Sequence, residues 1–405
     1  MGFWTLRSSG TESQGPNFLR FQRINLTPPS KYCDSALIAV VFNEPTVVNE
    51  EGTRRYISDG NTVGAMAPHA ELMASVGKGQ IDLSEVGVIE AREHVEQALR
   101  EGGYRTTLFN INGDLKRLID FLEDTKPDLV FNLCEGVRNQ AIHEMHIAGI
   151  FELLGVPFTG AGAFALGSCL NKVRTKEILS YHDIPTARFL MVRTLADLDA
   201  NHLDLRFPLI VKPSREDASI GIENSSVVRD QTALRDRVRF VLETHQQPAL
   251  VEEFIEGREL NVAIVGTADP IVLPISEIDF SGLPSGYPKI VTYNAKWMEG
   301  TPEYVGTVGT CPAALDAEVE RLVRRIALLA YRVMEVRDYA RVDLRLAADG
   351  TPYALEVNPN PDISEDAGFA RSGRTHGWTY PEMIAAIVES ALERTAQPGH
   401  AHQKI

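Results

Sequence analysis

The sequence predicts an α/β protein: a parallel sheet with helices on its faces, followed by an α+β part in two lobes. Three observations carry this reading. Short apolar runs alternate with amphipathic stretches through roughly the first 160 residues, the strand–helix rhythm that buries a parallel sheet. A second series of strand-like segments opens near Thr159. Two alternating segments around a turn at Asp349-Gly350 then read as antiparallel strands ahead of a closing helix.

Taken in order, Ala36–Phe42 (ALIAVVF) is a continuous apolar run, as expected for a strand covered on both faces. From Asn43 to Val86 the chain has little pattern, and a stretch that long is either an insertion or a lid over a site. Val88–Arg100 has helical spacing and stops at Gly102-Gly103. Tyr104–Ile111 reads as a strand, Leu115–Leu122 as a helix, Asp128–Leu133 as a strand, and Ala141–Leu154 as a helix ending at Gly155-Val156-Pro157. Beyond Thr159, Asn171–Ser180 is helical, while Phe207–Lys212, Leu250–Phe254 and Leu260–Val265 are strand-like. Asp316–Glu335 is a long amphipathic helix. Tyr339–Leu346 and Pro352–Val357 are the two paired strands, and Pro381–Thr395 is the closing helix. The expected division is a loose tail over residues 1–34, a parallel α/β domain over 35–160, a first lobe over 161–248, a second lobe over 249–396 and a short tail over 397–405.

Composition narrows the function classes. Among the 405 residues 44% are hydrophobic and 23% charged, the range of a soluble globular protein. A formal net charge of -15 argues against a nucleic-acid partner. No apolar stretch reaches the ~20 residues of a bilayer span, and no signal peptide is legible, so no membrane partner is expected. Cys33, Cys134, Cys169 and Cys311 are scattered without metal-ligand spacing, which fits reduced thiols in a cytoplasmic protein.

The strongest chemical feature lies near the C-terminus. In Arg341-Val342-Asp343-Leu344-Arg345 the polar residues alternate and share one strand face. Glu356 and Asn358 share a face of the next strand. If the two strands pair, Asp343, Glu356 and Asn358 converge as a hard oxygen site suited to Mg²⁺ carrying nucleotide phosphates, with Arg341 beside them to stabilise an oxyanion. A solvated charged face is the competing reading for each residue taken singly. Lys212, at the end of an apolar strand, precedes a small polar loop from Ser214 through Ala218 and Ser219 to Gly221, an arrangement suited to phosphate contact. Val251-Glu252-Glu253-Phe254-Ile255 runs into a turn and on to Glu259. Such a strand edge can pair with adenine, and such a carboxylate can hold ribose hydroxyls. Lys172 stands at a helix start and Lys296 lies in Tyr293-Asn294-Ala295-Lys296-Trp297; taken singly, each reads better as a surface lysine than as a phosphate contact.

The segments ELLGVPFTGAGAFALGSCLNKVRTK, PLIVKPSREDASIG, VEEFIEGREL, YNAKW, CPA, ARVDLRL and LEVNPNP, in this order, resemble the ATP-grasp superfamily and most closely its D-alanine–D-alanine ligases. The resemblance runs from about Leu37 to the C-terminal helix. It implies an ATP-grasp fold: a Rossmann-like N-terminal domain and two α+β lobes that clasp ATP. It implies phosphate contacts for Lys172, Lys212 and the Ser219 loop, an adenine frame of Glu252, Phe254 and Ile255, and Glu259 on the ribose. Lys296 becomes a lid lysine over the γ-phosphate. Asp343, Glu356 and Asn358 hold two Mg²⁺ ions, or Mn²⁺ in their place, and Arg341 stabilises the acyl phosphate and tetrahedral intermediate. The expected activity is an ATP-dependent, ADP-forming carboxylate–amine ligase acting through an acyl phosphate.

The sequence departs from the family in its substrate half. The family's glycine-rich N-terminal turn and ammonium-binding glutamate are replaced by Asn43-Glu44-Pro45, leaving Glu44 as the candidate acid, with Glu50, Glu51 and Glu71 as alternatives. Ala218 stands where the family has serine and Trp297 where it has tyrosine. The run that grips the second substrate's carboxylate is rewritten as Asn360 to Gly368, with Ser364 as its candidate serine. The expected substrate is therefore an amino acid, small peptide or related carboxylate other than a D-alanine pair. A true D-alanine–D-alanine ligase, an ATP-grasp kinase and a non-catalytic nucleotide-binding protein are the alternatives. A homodimer is the expected assembly.

Overall fold

The computed structural model describes residues 36–44, 46–48, 54–56, 87–137, 140–200 and 204–396. Both expected tails, Cys33, most of the long unpatterned stretch, and Glu50, Glu51 and Glu71 lie outside the described residues.

The chain opens with β1 (Leu37–Phe42), followed by a short antiparallel ribbon of β2 (Thr46–Val48) and β3 (Arg54–Tyr56). Then come α1 (Gly87–Glu101), β4 (Arg105–Asn110), α2 (Leu115–Thr125), β5 (Leu129–Asn132) and α3 (His143–Leu153). Strands β4, β1 and β5 form a parallel sheet in that order, as the apolar runs imply. Both faces of β1 are covered. Ile38, Val40 and Phe42 pack in one core with Val95 and Leu99 of α1, while Ala39 and Val41 join Leu118 and Leu122 of α2 in another.

Helices α4 (Ala163–Leu170) and α5 (Lys172–Tyr181) lead into an antiparallel sheet of β6 (Phe189–Val192), β7 (Leu209–Pro213), β8 (Val227–Val228) and β9 (Ala249–Glu253), ordered β6-β9-β7-β8. Between these strands run α6 (Leu195–Ala200) and α7 (Gln231–Phe240), and Leu198, Leu234 and Val238 cover the sheet.

The last sheet contains β10 (Gly257–Val265), β11 (Ile271–Val272), β12 (Ser276–Asp279), β13 (Val308–Thr310), β14 (Tyr339–Ala347) and β15 (Pro352–Asn358). Its order is β13-β12-β10-β14-β15, all antiparallel, with β11 paired to the end of β10. The short helices α8 (Tyr293–Trp297) and α9 (Pro302–Val305) precede β13, and α10 (Ala317–Val333) precedes β14. Helix α10 buries Val323, Ile326, Ala327 and Ala330, the three-to-four spacing of an apolar stripe. Helices α11 (Gly368–His376) and α12 (Tyr380–Ala396) close the chain, α12 packing Ile384, Ile387 and Val388 into the core beneath β1. At the start of β10, Gly257 has φ +154, and a Cβ there would come within 2.0 Å of the Leu346 carbonyl oxygen on β14. Only glycine allows that approach.

One buried carboxylate ties distant segments together. Asp338, fully buried just before β14, accepts hydrogen bonds from the Gly160 amide (3.0 Å), Thr267 Oγ1 (2.9 Å), Ser390 Oγ (3.0 Å) and Arg394 Nη2 (2.9 Å). Arg394 also donates to the Phe158 carbonyl at 2.7 Å. The end of the parallel-sheet region, the β10 turn, the start of β14 and α12 therefore share one anchor. Removing it strands a largely buried guanidinium, so Asp338→Ala is expected to cost on the order of 3–5 kcal/mol. Urea unfolding of the variant against the parent measures this.

Candidate functional site

The site is built on β14. Its residues Ala340, Val342, Leu344 and Leu346 face a core, and the intervening Arg341, Asp343 and Arg345 face the other way. Pairing with β15 sets Arg341 opposite Asn358 and Asp343 opposite Glu356, with a bulge following Asp343. Pairing with β10 sets Asn261 opposite Asp343 and Glu259 opposite Arg345. Asp343 is 6% exposed and takes four hydrogen bonds. Its Oδ1 accepts from Asn261 Nδ2 (2.7 Å) and Arg341 Nε (2.7 Å), and its Oδ2 from Arg341 Nη2 (2.8 Å) and Asn358 Nδ2 (2.9 Å). Burial works against the Arg341 charge, but the two-pronged pair with Asp343 prevails and holds the guanidinium even more firmly protonated than usual.

The lysines enter from α5 and β7. The Asn171 side chain accepts from the Arg174 amide at 3.3 Å and so caps α5, making Lys172 its first residue. Lys176 follows one turn later on the same face. Lys172 Nζ lies 2.6 Å from Glu356 Oε2 and 3.4 Å from Asp217 Oδ1. Lys176 Nζ lies 2.5 Å from Glu252 Oε2 and donates to Thr186 Oγ1 at 2.8 Å. Lys212 Nζ lies 2.5 Å from Glu252 Oε1. Burial alone would raise the Glu356 carboxyl, yet Lys172 holds it well below the usual range. Burial likewise opposes ionisation of Glu252, and Lys176 and Lys212 overcome it to hold the carboxyl at about 2.

Beside these charges lies an apolar slot. Ile210, Ile222 and Ile290 form a buried cluster, with Val227 and Phe254 packed against it. Arg345 stacks over the Phe254 ring at 5.2 Å and lies 3.6 Å from Glu259. Burial pushes the Glu259 carboxyl up, partly offset by Arg345. Ile255 is half-buried in the link between β9 and β10. A cleft of about 970 Å³ opens next to this slot, lined by Phe254, Gly257, Arg258, Tyr287 and Lys289 among others. Its lining does not extend to Lys172, Lys212 or Asp343, which the ion pairs draw together.

A lid closes one side. Thr292 Oγ1 accepts from the Ala295 amide at 3.1 Å and caps α8, which carries Lys296. Three bonds latch this segment to the small loop after β7. Ser219 Oγ donates to the Val291 carbonyl (3.0 Å), the Tyr293 amide to the Ile222 carbonyl (2.9 Å), and Trp297 Nε1 to the Ala218 carbonyl (2.9 Å). Ala218 and Ser219 sit at φ +54 and +63, left-handed conformations that the latch holds. Arg237 secures the same loop from below, donating to the Gly221 carbonyl at 2.6 Å. Lys296 is half-buried; burial and Arg341 push its ammonium down, while Glu356, Asp343 and Glu259 oppose this.

The expected residues thus fall into two groups. Lys172, Lys212, Glu252, Glu259, Lys296, Arg341, Asp343, Glu356 and Asn358 belong to one charged network, with Phe254 on its apolar wall. Ala218, Ser219 and Trp297 form the latch. Glu44 is buried at the end of β1, ion-paired with Arg92 of α1, whose guanidinium also lies 4.8 Å from the Phe42 ring. Ser364 turns back on Asp362, its amide and Oγ both donating to Asp362 Oδ1 (2.9 and 2.7 Å). Sequence reasoning passed over Lys176 and Asn261. The first sits one helical turn past Lys172, and the second two residues past Glu259 on the same strand face; both signals were in the spacing. Among the described residues no three His, Cys, Asp or Glu gather as a metal cage. The expected donors Asp343, Glu356 and Asn358 are two carboxylates and an amide. Asn358 spends its N–H on Asp343 and thereby keeps its amide oxygen as an acceptor.

The Glu252 pair has a sign that can be checked. Its folded-state pKa lies below the ordinary value of 4.5, so its contribution is complete above about pH 4.5 and is lost as pH falls toward 2. That contribution is on the order of 3 kcal/mol. Stability measured in urea should fall less steeply between pH 5 and pH 3 in Glu252→Gln than in the parent.

With this geometry in view, the chain can be set beside known proteins. Residues 178–389 match the family described as "D-ala D-ala ligase C-terminus". An uncharacterised protein of Sinorhizobium fredii is 34% identical over 310 residues, covering 75% of this chain and 87% of its own length. The D-alanine–D-alanine ligase of Cupriavidus taiwanensis is 35% identical over 246 residues, covering 60% of this chain and 71% of the ligase. Among solved structures, the ATP-complexed D-alanine–D-alanine ligase from Bacillus anthracis superposes with a TM-score of 0.65 at 23% identity, over 89% of this chain and 98% of that one. A D-Ala:D-Ser ligase from Enterococcus faecalis gives 0.62 at 20% identity, over 88% and 99%. At those identities the structures speak to the fold, which is ATP-grasp. The chain belongs to the D-alanine–D-alanine ligase family of ATP-grasp ligases.

Proposed function

We propose that the protein is an ATP-dependent ligase that joins a carboxylate to an amine through an acyl phosphate, with an amino acid or small peptide other than a D-alanine pair as its substrate. The observation that carries the chemical half is the network around Asp343, where Arg341, Asn358, Glu356 and the lysines meet at the mouth of an apolar slot. In this reading adenine enters the slot beside Phe254 and Ile255, with Glu252 behind it, and Glu259 takes the ribose. Lys172, Lys212 and Lys296 neutralise the phosphates, and the latched Ser219 loop covers them. Asp343, Glu356 and Asn358 offer the hard oxygen donors that would hold two Mg²⁺ ions, or Mn²⁺, whose charge when bound assists transfer of the γ-phosphoryl group.

A substrate carboxylate oxygen attacks the γ-phosphorus and ADP departs. The amine then attacks the acyl carbon and inorganic phosphate departs. Arg341 faces the oxygen that becomes negative in the second step. An acyl phosphate hydrolyses readily, so the lid that carries Lys296 and Trp297 serves to exclude water. Consumption of ATP and unmodified small substrates fits a cytoplasmic setting, and no described helix is long and apolar enough to cross a membrane.

The substrate half supports an altered specificity. Ala218 has no hydroxyl to orient a substrate, and the single donor of Trp297 is spent on the Ala218 carbonyl. Glu44 is engaged by Arg92. A pocket lined this way suits a bulkier or less polar first substrate than D-alanine.

Two measurements test the proposal. Glu356→Ala or Asp343→Ala should abolish phosphate release while the circular dichroism spectrum stays unchanged; near-normal turnover from either folded variant would remove the metal assignment. Screening amino-acid pairs with ATP and Mg²⁺ should give little dipeptide from D-alanine alone and ready phosphate release with a larger partner. Efficient D-alanyl-D-alanine synthesis would make the protein a D-alanine–D-alanine ligase, and a phosphorylated product that accumulates would make it a kinase.

A further inference from the structure

A second series of polar contacts starts two residues before Arg341 on β14. Tyr339 shares the β14 face of Arg341 and Asp343, and Asn360 follows Asn358 by two residues. The Tyr339 hydroxyl donates to Asn360 Oδ1, and Asn360 Nδ2 donates to Glu144 Oε1 at 2.9 Å. Every donor in this series points toward Glu144, an acid that α3 delivers from the parallel-sheet region. One same-face step along a strand is about 7 Å, so the series starts, at Tyr339, about that far along β14 from Arg341.

Glu144 is nine-tenths buried. Among the described residues no Lys, Arg or His forms an ion pair with it, and its Oε2 makes no hydrogen bond. Its neighbours aggravate the lack of a counter-charge. Burial pushes its carboxyl well up, the Asn360 bond opposes this, and Asp217 and Glu135 push it further. Asp217, whose charge acts on Glu144, belongs to the same loop as Ala218 and contacts Lys172. The other buried acids of the network have cations: Glu356 has Lys172, Glu252 has Lys176 and Lys212, and Asp343 has Arg341. A buried acid that accepts one side-chain hydrogen bond and, among the described residues, has no cation partner is what a ligand ammonium group requires.

We propose that Glu144, positioned by Asn360 and Tyr339, binds the ammonium group of the amino-acid substrate and so selects amino acids over carboxylates that lack it. This rests on the ligase reading above. In that arrangement Arg341 faces the carboxylate end of the substrate and Glu144 its ammonium end, and the side chain is left to the wall formed by Ala218 and Trp297.

The test uses the full-length enzyme, ATP, Mg²⁺ and the best amino-acid substrate found by the phosphate-release screen, together with its 2-hydroxy analogue. Glu144→Gln keeps size and one hydrogen bond but removes the charge. It should raise the KM for the amino acid by about 30-fold or more, the loss of one charge-assisted hydrogen bond. Its ATP affinity should stay within about twofold of the parent, which also shows that the variant is folded. The parent should prefer the amino acid to the hydroxy acid, and Glu144→Gln should lose most of that preference, an outcome that a purely structural role would not produce. Asn360→Ala should act in the same direction more weakly. An unchanged KM and unchanged preference in Glu144→Gln would overturn the inference while leaving the ligase reading intact. The same loss appearing in Glu44→Gln and not in Glu144→Gln would also overturn it. A parent enzyme that turns over no amino acid would overturn the ligase reading and this inference together.

Discussion

The register of β14 between β10 and β15 is the constraint on which the rest depends. Because side chains alternate, one register sends Ala340, Val342, Leu344 and Leu346 into the core and turns Arg341, Asp343 and Arg345 toward the site. A slip by one residue would exchange the two sets, burying charges in the core and exposing the apolar residues. The cost of that exchange fixes where the functional groups lie. The anchor at Asp338, immediately before the strand, and Gly257, which permits β10 to run close beside it, both serve the same register.

Such a face gathers more charge than a protein interior tolerates unless each group has a partner. Removing an ion from water costs several kcal/mol, and only a well-placed opposite charge recovers it. The network meets this by alternation. Glu356 takes Lys172, Glu252 sits between Lys176 and Lys212, and Asp343 is gripped by Arg341 and two amides. The lysines are thereby held in place in the folded chain, and the entropy of ordering four-carbon side chains is spent during folding. Perturbed titration concentrated in one place has the same origin, since desolvation and close charges are what the arrangement consists of.

The two halves of the site obey different rules. The half proposed to hold the nucleotide is made by strands of two sheets and the start of a helix, elements whose positions the cores dictate. The half proposed to hold the substrate is made by loops and contacts between them: the Ala218–Trp297 latch, the turn from Asn360 to Ser364, and the approach of α3. Loops carry fewer packing constraints than strands, so changes there alter specificity at small cost to the fold.

The sequence by itself determined most of the scaffold and the strand pairing that gathers Arg341, Asp343, Glu356 and Asn358. Every expected strand and helix is present, with ends displaced by three residues or fewer. Those elements were legible because burial imposes a period of two or of about 3.6 on the residues, and because Arg341, Asp343, Glu356 and Asn358 lie on just two adjacent strands joined by a short turn. Some elements left no such trace. Helix α4 (AFALGSCL) is apolar nearly all round and has no stripe, and β6, β12 and β13 are only three or four residues long. What only the tertiary structure decided was partnership across the chain. That Lys176 neutralises Glu252, that Arg92 claims Glu44, and that Asn360 reaches Glu144 across 216 positions are consequences of how separate elements dock. No local pattern encodes them, because the energy of a buried charge depends on what stands within a few ångströms of it, and sequence order is silent about that distance.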